Sequence, residues 1–499
     1  MLPEPRPDLR PNSWDYECRP LVKPTGFREY DARWLFETEI NLLGVQALGQ
    51  GLGTLIRELG QSPRIVVGHD FRSYSASIKQ ALTVGLMTAG CEVHDIGLAL
   101  SPVAYFAQFA LDIPCVAMVT ASHNENGWTG VKMGANRPLT FGPDEMSRLK
   151  EIVLSGAYQA FDGGGYRYVT DMRDRYIADV AGGADIKRKL RVVAACGNGT
   201  AGAFAPQALE AMGVEVIPLD CALDHSFPKY NPNPEDMAML DAMRVAVRET
   251  GADLAFGFDG DGDRCGVVDD SGEEIFADKV GVMLARDLSS VHENAQFVVD
   301  VKSTGLFTAD PVLKANGAKT EYWKTGHSYI KRRSNEIGAL AGFEKSGHFF
   351  FNAPLGRGYD DGLVAARAIL EMLDRNPGKK LSELREALPK TWQSPTMSPH
   401  CADEVKYDVV EKVKAELEQF AQDGGRLIGQ PIASVVTVNG VRVTVEDGTW
   451  GLVRASSNKP ELVVVVESPT SEENMRAMFS EIDARLRKHS EVGEYNQSL

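Results

Sequence analysis

Three aspartates that alternate with glycine have the spacing that most suggests chemistry. Asp259, Asp261 and Asp263 occur in the segment FGFDGDGDRCGVV, between two apolar runs that are typical of strands. Glycine lets the backbone turn tightly, so three carboxylates can converge on one divalent cation that removes their repulsion. A solvated acidic turn is the alternative. An EF-hand does not fit, because Arg264 and Asp270 stand where its loop needs glycine and glutamate.

A serine follows another apolar run, in the segment TASHNENGWTGVKMG over 120–134. A phosphoryl group on Ser122 could supply an oxygen to a cation such as Mg²⁺. Serine is a weak nucleophile unless it is activated, so a turn that ends the strand is the competing interpretation. A hydrolase is disfavoured, because G-x-S-x-G is missing and His123 would face away from its neighbour on an extended chain.

Two further polar loops follow later in the chain. GFEKSGH places Glu344, Ser346 and His348 at alternating positions, which share one face if the loop is extended. Carboxylate and hydroxyl groups together suit the hydroxyls of a sugar. VRASSNKPEL combines an arginine with hydroxyl groups in a turn, which suits a phosphate. An edge strand and a polar hairpin tip are the respective structural alternatives.

Length and composition limit the class of protein. The chain has 499 residues, which corresponds to about three to four domains. Its net charge of −16 argues against sequence-independent binding to nucleic acid and against a polybasic membrane anchor. It has neither an apolar run of about 18 residues nor the apolar segment of a signal peptide. Seven cysteines without paired spacing indicate reduced, cytosolic thiols rather than a disulfide framework or a zinc site.

Strand-like and helix-like segments alternate along most of the chain. RIVVGHD over 64–70 predicts a strand, and SASIKQALTVGLMTAG over 75–90 predicts a helix with Ile78, Leu82, Val84 and Leu86 on its apolar face. Similar pairs recur downstream. The pattern indicates three βαβ-containing units with mixed, mostly parallel sheets, which we interpret as distant repeats.

The two ends of the chain differ from this pattern. The first thirty or so residues are rich in proline and predict an extended surface arm. The last hundred residues contain an amphipathic helix, strands joined at an Asn439–Gly440 turn and a final helix. Strands bracketed by helices predict an α+β domain.

Taken in order, the four loops resemble those of the α-D-phosphohexomutase superfamily, and the chain is most similar to its phosphomannomutase/phosphoglucomutase group. The similarity extends from GFREYDARW near the start to RASSNKP near the end, and includes CGNGTAG, YWKTGHSYIKRR and GRGYDDGLVAA. It implies three related mixed-sheet α/β domains and a C-terminal α+β domain around a central cleft. The implied domains are 1–168 with the phosphoserine loop, 169–275 with the metal loop, 276–391 with the sugar-recognition loop and 392–499 with the phosphate-binding loop.

The resemblance also implies roles for individual residues. Ser122 resembles the phosphoserine, which is a metal ligand together with Asp259, Asp261 and Asp263. The implied catalytic residues, besides this serine, are the cations Lys132, Arg33 and Arg264 and a general base, His348. The implied substrate-binding residues are Tyr30, Lys302, Gly326, His327, Glu344, Ser346, Arg454, Ser456, Ser457 and Asn458.

These roles imply an isomerase that acts as an intramolecular phosphotransferase. It would interconvert hexose 1-phosphates and hexose 6-phosphates through a phosphoserine and a hexose 1,6-bisphosphate, which is also its activator, with one Mg²⁺ per chain. We expect a cytoplasmic protein whose partners are small hexose phosphates rather than nucleic acid or membrane, and a homodimer is left open. Two alternatives stay open: a phosphoglucosamine mutase, and a non-catalytic protein that binds sugar phosphates or metal.

Overall fold

The computed structural model of the chain describes residues 8–499 apart from 9, 12, 458 and 498. The chain divides into two compact units. One unit comprises the chain up to Ala277 together with 346–382, and the other comprises 278–345 and 383–499. Within the described part of the chain, every helix is too short or too polar to cross a bilayer.

The N-terminal part of the first unit is built on a six-stranded mixed sheet. Its strands lie in the order β1-β5-β4-β2-β3-β6, and β4, β2, β3 and β6 are parallel, whereas β1 and β5 run antiparallel to their neighbours. The elements are α1 (Trp14–Glu17), β1 (Ala32–Leu35), α2 (Leu42–Glu58), β2 (Arg64–His69), α3 (Ser75–Thr88), β3 (Glu92–Leu98), α4 (Ser101–Ala110), β4 (Cys115–Val119), β5 (Trp128–Gly134), α5 (Pro143–Ser155) and β6 (Gly165–Tyr168).

The sequence predicts two features of this part incompletely. The helix over 75–90 is confirmed as α3, and Ile78, Leu82 and Leu86 are buried in the core, but Val84 is exposed, because it lies on the opposite side of the helix. The prediction of an extended N-terminal arm is wrong for the residues that the structure describes. Trp14–Glu17 form a helix, and Leu21 and Val22 are buried, because this apolar pair completes the core.

A second sheet completes the first unit. Its order is β11-β10-β9-β7-β8, and β9, β7 and β8 are parallel, while β10 and β11 are antiparallel additions. The elements are α6 (Met172–Gly182), β7 (Arg191–Ala195), α7 (Ala205–Ala211), β8 (Glu215–Leu219), α8 (Met237–Thr250), β9 (Leu254–Phe258), β10 (Cys265–Asp269) and β11 (Glu274–Ile275). The apolar runs on both sides of the aspartate loop are therefore strands, as predicted.

The second unit begins with three parallel strands in the order β13-β12-β14. Their segment contains α9 (Ala277–Val291), β12 (Gln296–Asp300), α10 (Leu306–Ala309), α11 (Pro311–Ala315), β13 (Lys319–Trp323), α12 (His327–Glu336) and β14 (Ala341–Phe343). The chain then returns to the first unit with β15 (Phe349–Phe351) and α13 (Gly362–Arg375), a helix capped by the Asp361 carboxylate.

The rest of the second unit is an antiparallel sheet of six strands in the order β16-β21-β20-β19-β18-β17. Its elements are α14 (Leu381–Glu386), β16 (Trp392–Gln393), α15 (Lys406–Gln422), β17 (Arg426–Leu427), β18 (Gln430–Val436), β19 (Val441–Val445), β20 (Trp450–Ala455), β21 (Leu462–Ser468) and α16 (Glu472–Leu486). The predicted hairpin at Asn439–Gly440 joins β18 to β19. Parallel-containing α/β sheets followed by an antiparallel C-terminal domain confirm the predicted fold class.

Candidate active site

Ser122 lies in the loop between β4 and β5 and has an unusual backbone conformation. Its φ angle is +51°, in the left-handed region that a residue with a side chain seldom adopts. The side chain is 1% exposed, and its hydroxyl donates a hydrogen bond to Asp259 Oδ2 over 2.8 Å. Such a conformation costs about 1–3 kcal/mol, so the surroundings must hold it.

A buried ion pair supplies much of that support. Arg72 Nη2 donates to the carbonyl oxygens of Ser122 at 2.8 Å and Asn124 at 2.6 Å, while Nη1 pairs with Asp70. Asp70 Oδ2 also accepts from the Thr120 hydroxyl at 2.9 Å. The Asp70–Arg72 pair therefore joins the end of β2 to both sides of the serine.

The three aspartates lie between β9 and β10 and are fully buried. Oxygens of Asp259, Asp261 and Asp263 lie within 4.8 Å of one another. Oδ1 of Asp261 and Oδ1 of Asp263 have no hydrogen-bond partner among the described residues. Burial, and then the charges of the other two carboxylates, raise the pKa of Asp259 to about 7. Converging oxygens, of which two accept no hydrogen bond, fit a divalent cation.

The serine loop and the aspartate loop touch at Gly260. A Cβ atom at this glycine would overlap the carbonyl oxygen of Ser122 and would lie 3.6 Å from Cγ of Pro232. Only glycine allows the two loops to approach this closely, which explains one glycine of the DGDGD pattern in physical terms.

Cations surround the carboxylates. Lys132 on β5 donates to Asp261 Oδ2 at 2.6 Å and also pairs with Asp263. Although burial disfavours the ammonium ion, these two carboxylates raise the pKa of Lys132 well above its ordinary value. Arg33 on β1 donates to the carbonyl oxygen of Ala121 at 3.0 Å and to Asn124 Oδ1 at 2.5 Å. The structure thus brings both predicted cations to the serine loop and the aspartate loop.

Arg264 and His348 meet on the other side of the aspartate loop. Arg264 Nε donates to His348 Nε2 over 3.0 Å, so this nitrogen carries no proton and the ring proton lies on Nδ1. Nδ1 lies 3.2 Å from Asp360 Oδ2 and 3.6 Å from Asp263 Oδ1. Burial opposes the charged ring, but Asp263 and then Asp360 outweigh it and raise the pKa of His348. In this arrangement Arg264 occupies the nitrogen that a general base would use.

A separate group of predicted residues comes together in the second unit. The backbone N–H of Gly326 donates to Glu344 Oε1 over 2.5 Å, and the preceding N–H, of Thr325, donates to Asn439 Oδ1 over 3.3 Å. The same amide oxygen accepts from Arg454 Nε at 2.9 Å. Asn439 therefore links the predicted sugar-recognition residues to the arginine of the predicted phosphate loop.

Arg454 extends towards the rest of its loop. Its Nη2 lies 3.2 Å from the hydroxyl of Ser457, and the Ser456 hydroxyl accepts from the backbone N–H of Lys459 at 3.3 Å. Asn458, also predicted to bind substrate, lies outside the described residues. Arginine and hydroxyl donors in one turn suit an anionic group.

The remaining predicted residues have varied surroundings. Lys302 lies after β12 with Nζ 3.7 Å from Asp300 Oδ2, and His327 is buried at the first position of α12. Tyr30 is buried in the turn before β1, and Ser346 is half-buried just ahead of His348.

The loop over 344–348 is not extended, so the condition for a shared face is not met. Lys345 and Ser346 form a turn, and Gly347 has a φ of +93°. Alternation therefore does not place the side chains of Glu344 and His348 on one face. The signal that could have indicated the turn is the glycine two residues after Lys345, because glycine readily adopts positive φ.

Sequence reasoning missed several residues of the site. Ser101, at the start of α4, donates from its hydroxyl to Asp261 Oδ2 over 2.6 Å. Asp70 ends the segment RIVVGHD, which was predicted only as a strand, and Arg72 follows it by two positions. Asp360 belongs to the matching segment GRGYDDGLVAA but had no assigned role. Asn439 was predicted only as a turn residue. These contacts join residues far apart in sequence, which spacing does not reveal.

The chain is similar to known proteins over most of its length. Four domain families match: phosphoglucomutase/phosphomannomutase alpha/beta/alpha domains I, II and III over 24–160, 167–272 and 276–392, and the C-terminal domain over 401–485. The chain is 35% identical over 457 residues to a phosphomannomutase/phosphoglucomutase of Pseudomonas syringae pv. tomato, covering 91% of this chain and 93% of that protein. A Pseudomonas putida protein of the same name is 34% identical over 456 residues, covering 90% and 93%.

A solved structure is similar over nearly the full length. The crystal structure of a phosphoglucomutase/phosphomannomutase family protein from Burkholderia thailandensis superposes with a TM-score of 0.84. The sequence identity is 28%, and the match covers 96% of this chain and 100% of that chain.

Proposed function

Because the chain belongs to the phosphoglucomutase/phosphomannomutase family of the α-D-phosphohexomutases, we propose that it interconverts the 1-phosphate and the 6-phosphate of a hexose, with Ser122 as the carrier of the phosphoryl group. The enzyme class is an isomerase that works as an intramolecular phosphotransferase. One observation carries the assignment of the serine: its hydroxyl contacts Asp259 of a buried carboxylate cluster that could hold a metal.

The carboxylates and the serine have complementary parts in this proposal. Asp259, Asp261 and Asp263 would hold Mg²⁺, which in the bound state neutralises charge on the transferring phosphoryl group. The cluster supports this assignment through its buried, converging oxygens. Lys132 and Arg33 supply further positive charge beside the serine. Phosphoryl transfer depends mainly on such positioning and charge stabilisation.

Proton transfer is assigned to His348, with a condition that follows from its contacts. Its Nε2 accepts a hydrogen bond from Arg264, so the ring can take a proton from an attacking sugar hydroxyl only after Arg264 turns away. An incoming phosphate offers the guanidinium a stronger anionic partner. Asp360 beside Nδ1 orients the ring and stabilises the imidazolium once it forms.

Recognition of the sugar phosphate is assigned mainly to residues of the second unit. Glu344, Gly326, His327 and Lys302 would contact the sugar or its phosphate, with Ser346 and Tyr30 of the first unit as further contacts. Arg454, Ser456, Ser457 and Asn458 would hold the phosphate that is not reacting. The link from Arg454 through Asn439 to Thr325 supports a shared role for these two groups of residues.

The proposal also covers the conditions under which the protein works. Hexose 1,6-bisphosphate is the intermediate and the activator, because it returns a phosphoryl group to Ser122. A cytoplasmic location agrees with seven cysteines that are all free. The domain boundaries at 168, 275 and 391 and the absence of nucleic-acid and membrane partners stay predictions, and a homodimer stays open.

Two measurements on one sample test the proposed function. Coupled kinetics with glucose, mannose and glucosamine 1-phosphates measure turnover, and intact mass after incubation with hexose 1,6-bisphosphate measures phosphorylation. We expect turnover of the glucose and mannose phosphates, and a mass increase of one phosphoryl group that Ser122→Ala abolishes together with turnover.

A matched control and the opposing outcomes define the test. Ser155→Ala changes an exposed serine at the end of α5 and should keep both activities. Wild-type turnover in Ser122→Ala would refute the role of the serine. Preferred turnover of glucosamine phosphate would favour a phosphoglucosamine mutase, and phosphate binding without any turnover would favour a non-catalytic protein.

A further inference from the structure

Two cysteines outside the candidate active site form a close pair. Cys196 directly follows β7 and Cys221 lies just after β8, and the two parallel strands end at the same edge of the sheet, where Ala195 pairs with Leu219. The two sulfur atoms are 3.5 Å apart, and both thiols are free. Spacing along the chain did not indicate this pair, because the two positions are 25 apart in the sequence.

The two thiols lie close enough to form a disulfide bond after a small movement. A disulfide bond is about 2.05 Å long, so the sulfurs need to approach by about 1.5 Å. Cys196 is fully buried, whereas Cys221 is partly exposed, so an oxidant reaches Cys221 first. The hydrogen bond between the thiols lowers the pKa of Cys221, which favours the thiolate that reacts.

The loop that Cys196 begins is connected to the serine loop. Gly197 and Gly199 pack against Pro232, and the same proline also lies next to Gly260 of the aspartate loop. Thr200, at the end of the same loop, accepts a hydrogen bond at 3.0 Å from the backbone N–H of Phe71.

Phe71 lies in the loop that follows β2, and the next residue, Arg72, donates a hydrogen bond to the carbonyl oxygen of Ser122. The neighbouring Asn231 side chain donates to the carbonyl oxygen of His123. A movement of Cys196 therefore acts on residues that touch both sides of the serine loop.

We propose that Cys196 and Cys221 are a redox modification site, which a hydroperoxide converts into a reversible intramolecular disulfide. The Cys221 thiolate attacks hydrogen peroxide and becomes a sulfenic acid, as the peroxide bond breaks and hydroxide leaves, to be protonated to water. The Cys196 thiol then attacks the Cys221 sulfur, and the sulfenic hydroxyl leaves as a second water as the disulfide forms. The two thiols are thereby oxidised by two electrons, and one peroxide is reduced to two waters. A dithiol reductant reverses the change.

Closure is expected to slow the mutase, a consequence that rests on the proposed function. Misplacement of catalytic groups by about 1 Å can lower a rate about a hundredfold. The sulfurs must move by a comparable distance, and the displacement is transmitted through Phe71, Arg72 and Pro232. Turnover of the oxidised protein should therefore fall by about tenfold or more.

Peptide mapping of the full-length protein tests the modification directly. Both cysteines lie in one tryptic peptide, Val192–Lys229, which contains no other cysteine and no internal lysine or arginine. After brief exposure to hydrogen peroxide and alkylation, we expect this peptide to be lighter by two hydrogens and free of alkyl groups. Dithiothreitol should restore two alkylatable thiols.

Three variants make the test specific. Cys196→Ser and Cys221→Ser should each abolish the cross-link and keep turnover after peroxide treatment. Cys18→Ser removes an exposed cysteine and should leave the cross-link unchanged. If Cys196 and Cys221 stay reduced, and are therefore both alkylated, at a peroxide dose that oxidises Cys18, the proposal is wrong.

The mass and the rate separate the two ideas. A disulfide that forms without a change in turnover refutes the effect on activity and leaves the modification site intact. A reduced protein without mutase turnover counts against the proposed function, while the mass of the peptide still decides the modification.

Discussion

Replacement of Arg72 by lysine tests whether the serine loop is held in place by its neighbours. The wild-type guanidinium pairs with Asp70 through one nitrogen and reaches the carbonyl oxygens of Ser122 and Asn124 through another. Lysine keeps the positive charge but carries all three of its donors on one atom, so it cannot span acceptors that Nη1 and Nη2 of arginine reach separately. Arg72→Lys should therefore keep the ion pair and release the loop.

The expected size of the effect follows from two opposing energies. Each hydrogen bond from a charged donor is worth about 1.5–3 kcal/mol, and the left-handed conformation of Ser122 at a φ of +51° costs about 1–3 kcal/mol. Loss of one such bond is thus enough to let the serine relax. Because about 1.4 kcal/mol corresponds to a tenfold change in rate, kcat should fall by about 10- to 100-fold.

Turnover and unfolding should respond differently to related substitutions. Arg72→Met leaves Asp70 buried without its cation and should lower the free energy of unfolding by about 3–5 kcal/mol. Adding Asp70→Asn should recover much of that stability but none of the turnover. These values are measured by coupled mutase kinetics and urea unfolding, with Arg148→Lys on the exposed face of α5 as the control. Wild-type kcat in a folded Arg72→Lys protein would refute the reasoning.

Three further predictions concern other parts of the site. Gly260→Ala should lower kcat and weaken Mg²⁺ binding in a metal titration, because the added Cβ would overlap the carbonyl oxygen of Ser122. Gly182→Ala is the control and should change neither quantity, because the space around Gly182 is open. Burial raises the pKa of Asp361 to about 7. The folded protein therefore holds the proton more tightly than the unfolded chain, and this contribution to stability is present at low pH and is lost as the pH rises from about 4 to about 7. The free energy of unfolding of Asp361→Asn, measured in urea, should therefore rise relative to that of the wild type by up to about 4 kcal/mol between about pH 4 and about pH 8. A difference that does not change with pH would contradict this prediction. Arg442 lies over the rings of Tyr322 and Trp450 and donates hydrogen bonds at 2.8 and 2.7 Å to the carbonyl oxygens of Val301 and Ser303, on either side of Lys302. Arg442→Lys should therefore lower the melting temperature and raise KM. An unchanged KM would argue against Lys302 as a substrate contact.

Local patterns were enough to predict that the three aspartates converge. Asp259, Asp261 and Asp263 alternate with glycine between two strands, and their oxygens form a buried cluster that could hold a metal ion. The same holds for the fold class, because strand and helix periodicities are set by neighbouring residues. In each case the signal lies within about ten residues of sequence.

Contacts between distant segments could not be predicted in this way. The Asp70–Arg72 pair acts on a serine fifty residues away, and Asn439 joins Thr325 to Arg454 across more than one hundred positions. Alternating polar residues also did not reveal whether the loop over 344–348 is extended; Lys345 and Ser346 form a turn, and Gly347 adopts a positive φ. A pattern identifies which groups are available, whereas tertiary packing decides which of their atoms meet.

The charge of the chain gives this packing a further consequence. The protein carries a net charge of −16, yet its substrates are anions, so its overall field opposes their approach. Arg33, Arg72, Lys132 and Arg264 lie at or just behind the serine and aspartate loops, and each is paired with a carboxylate. Under the proposed function, a cation held by the aspartate loop would replace Lys132 as the partner of Asp261 and Asp263, and the Lys132 ammonium would then be free to face a phosphoryl group on Ser122. Metal binding and the positive field at the serine should therefore be linked, because the same carboxylates serve both.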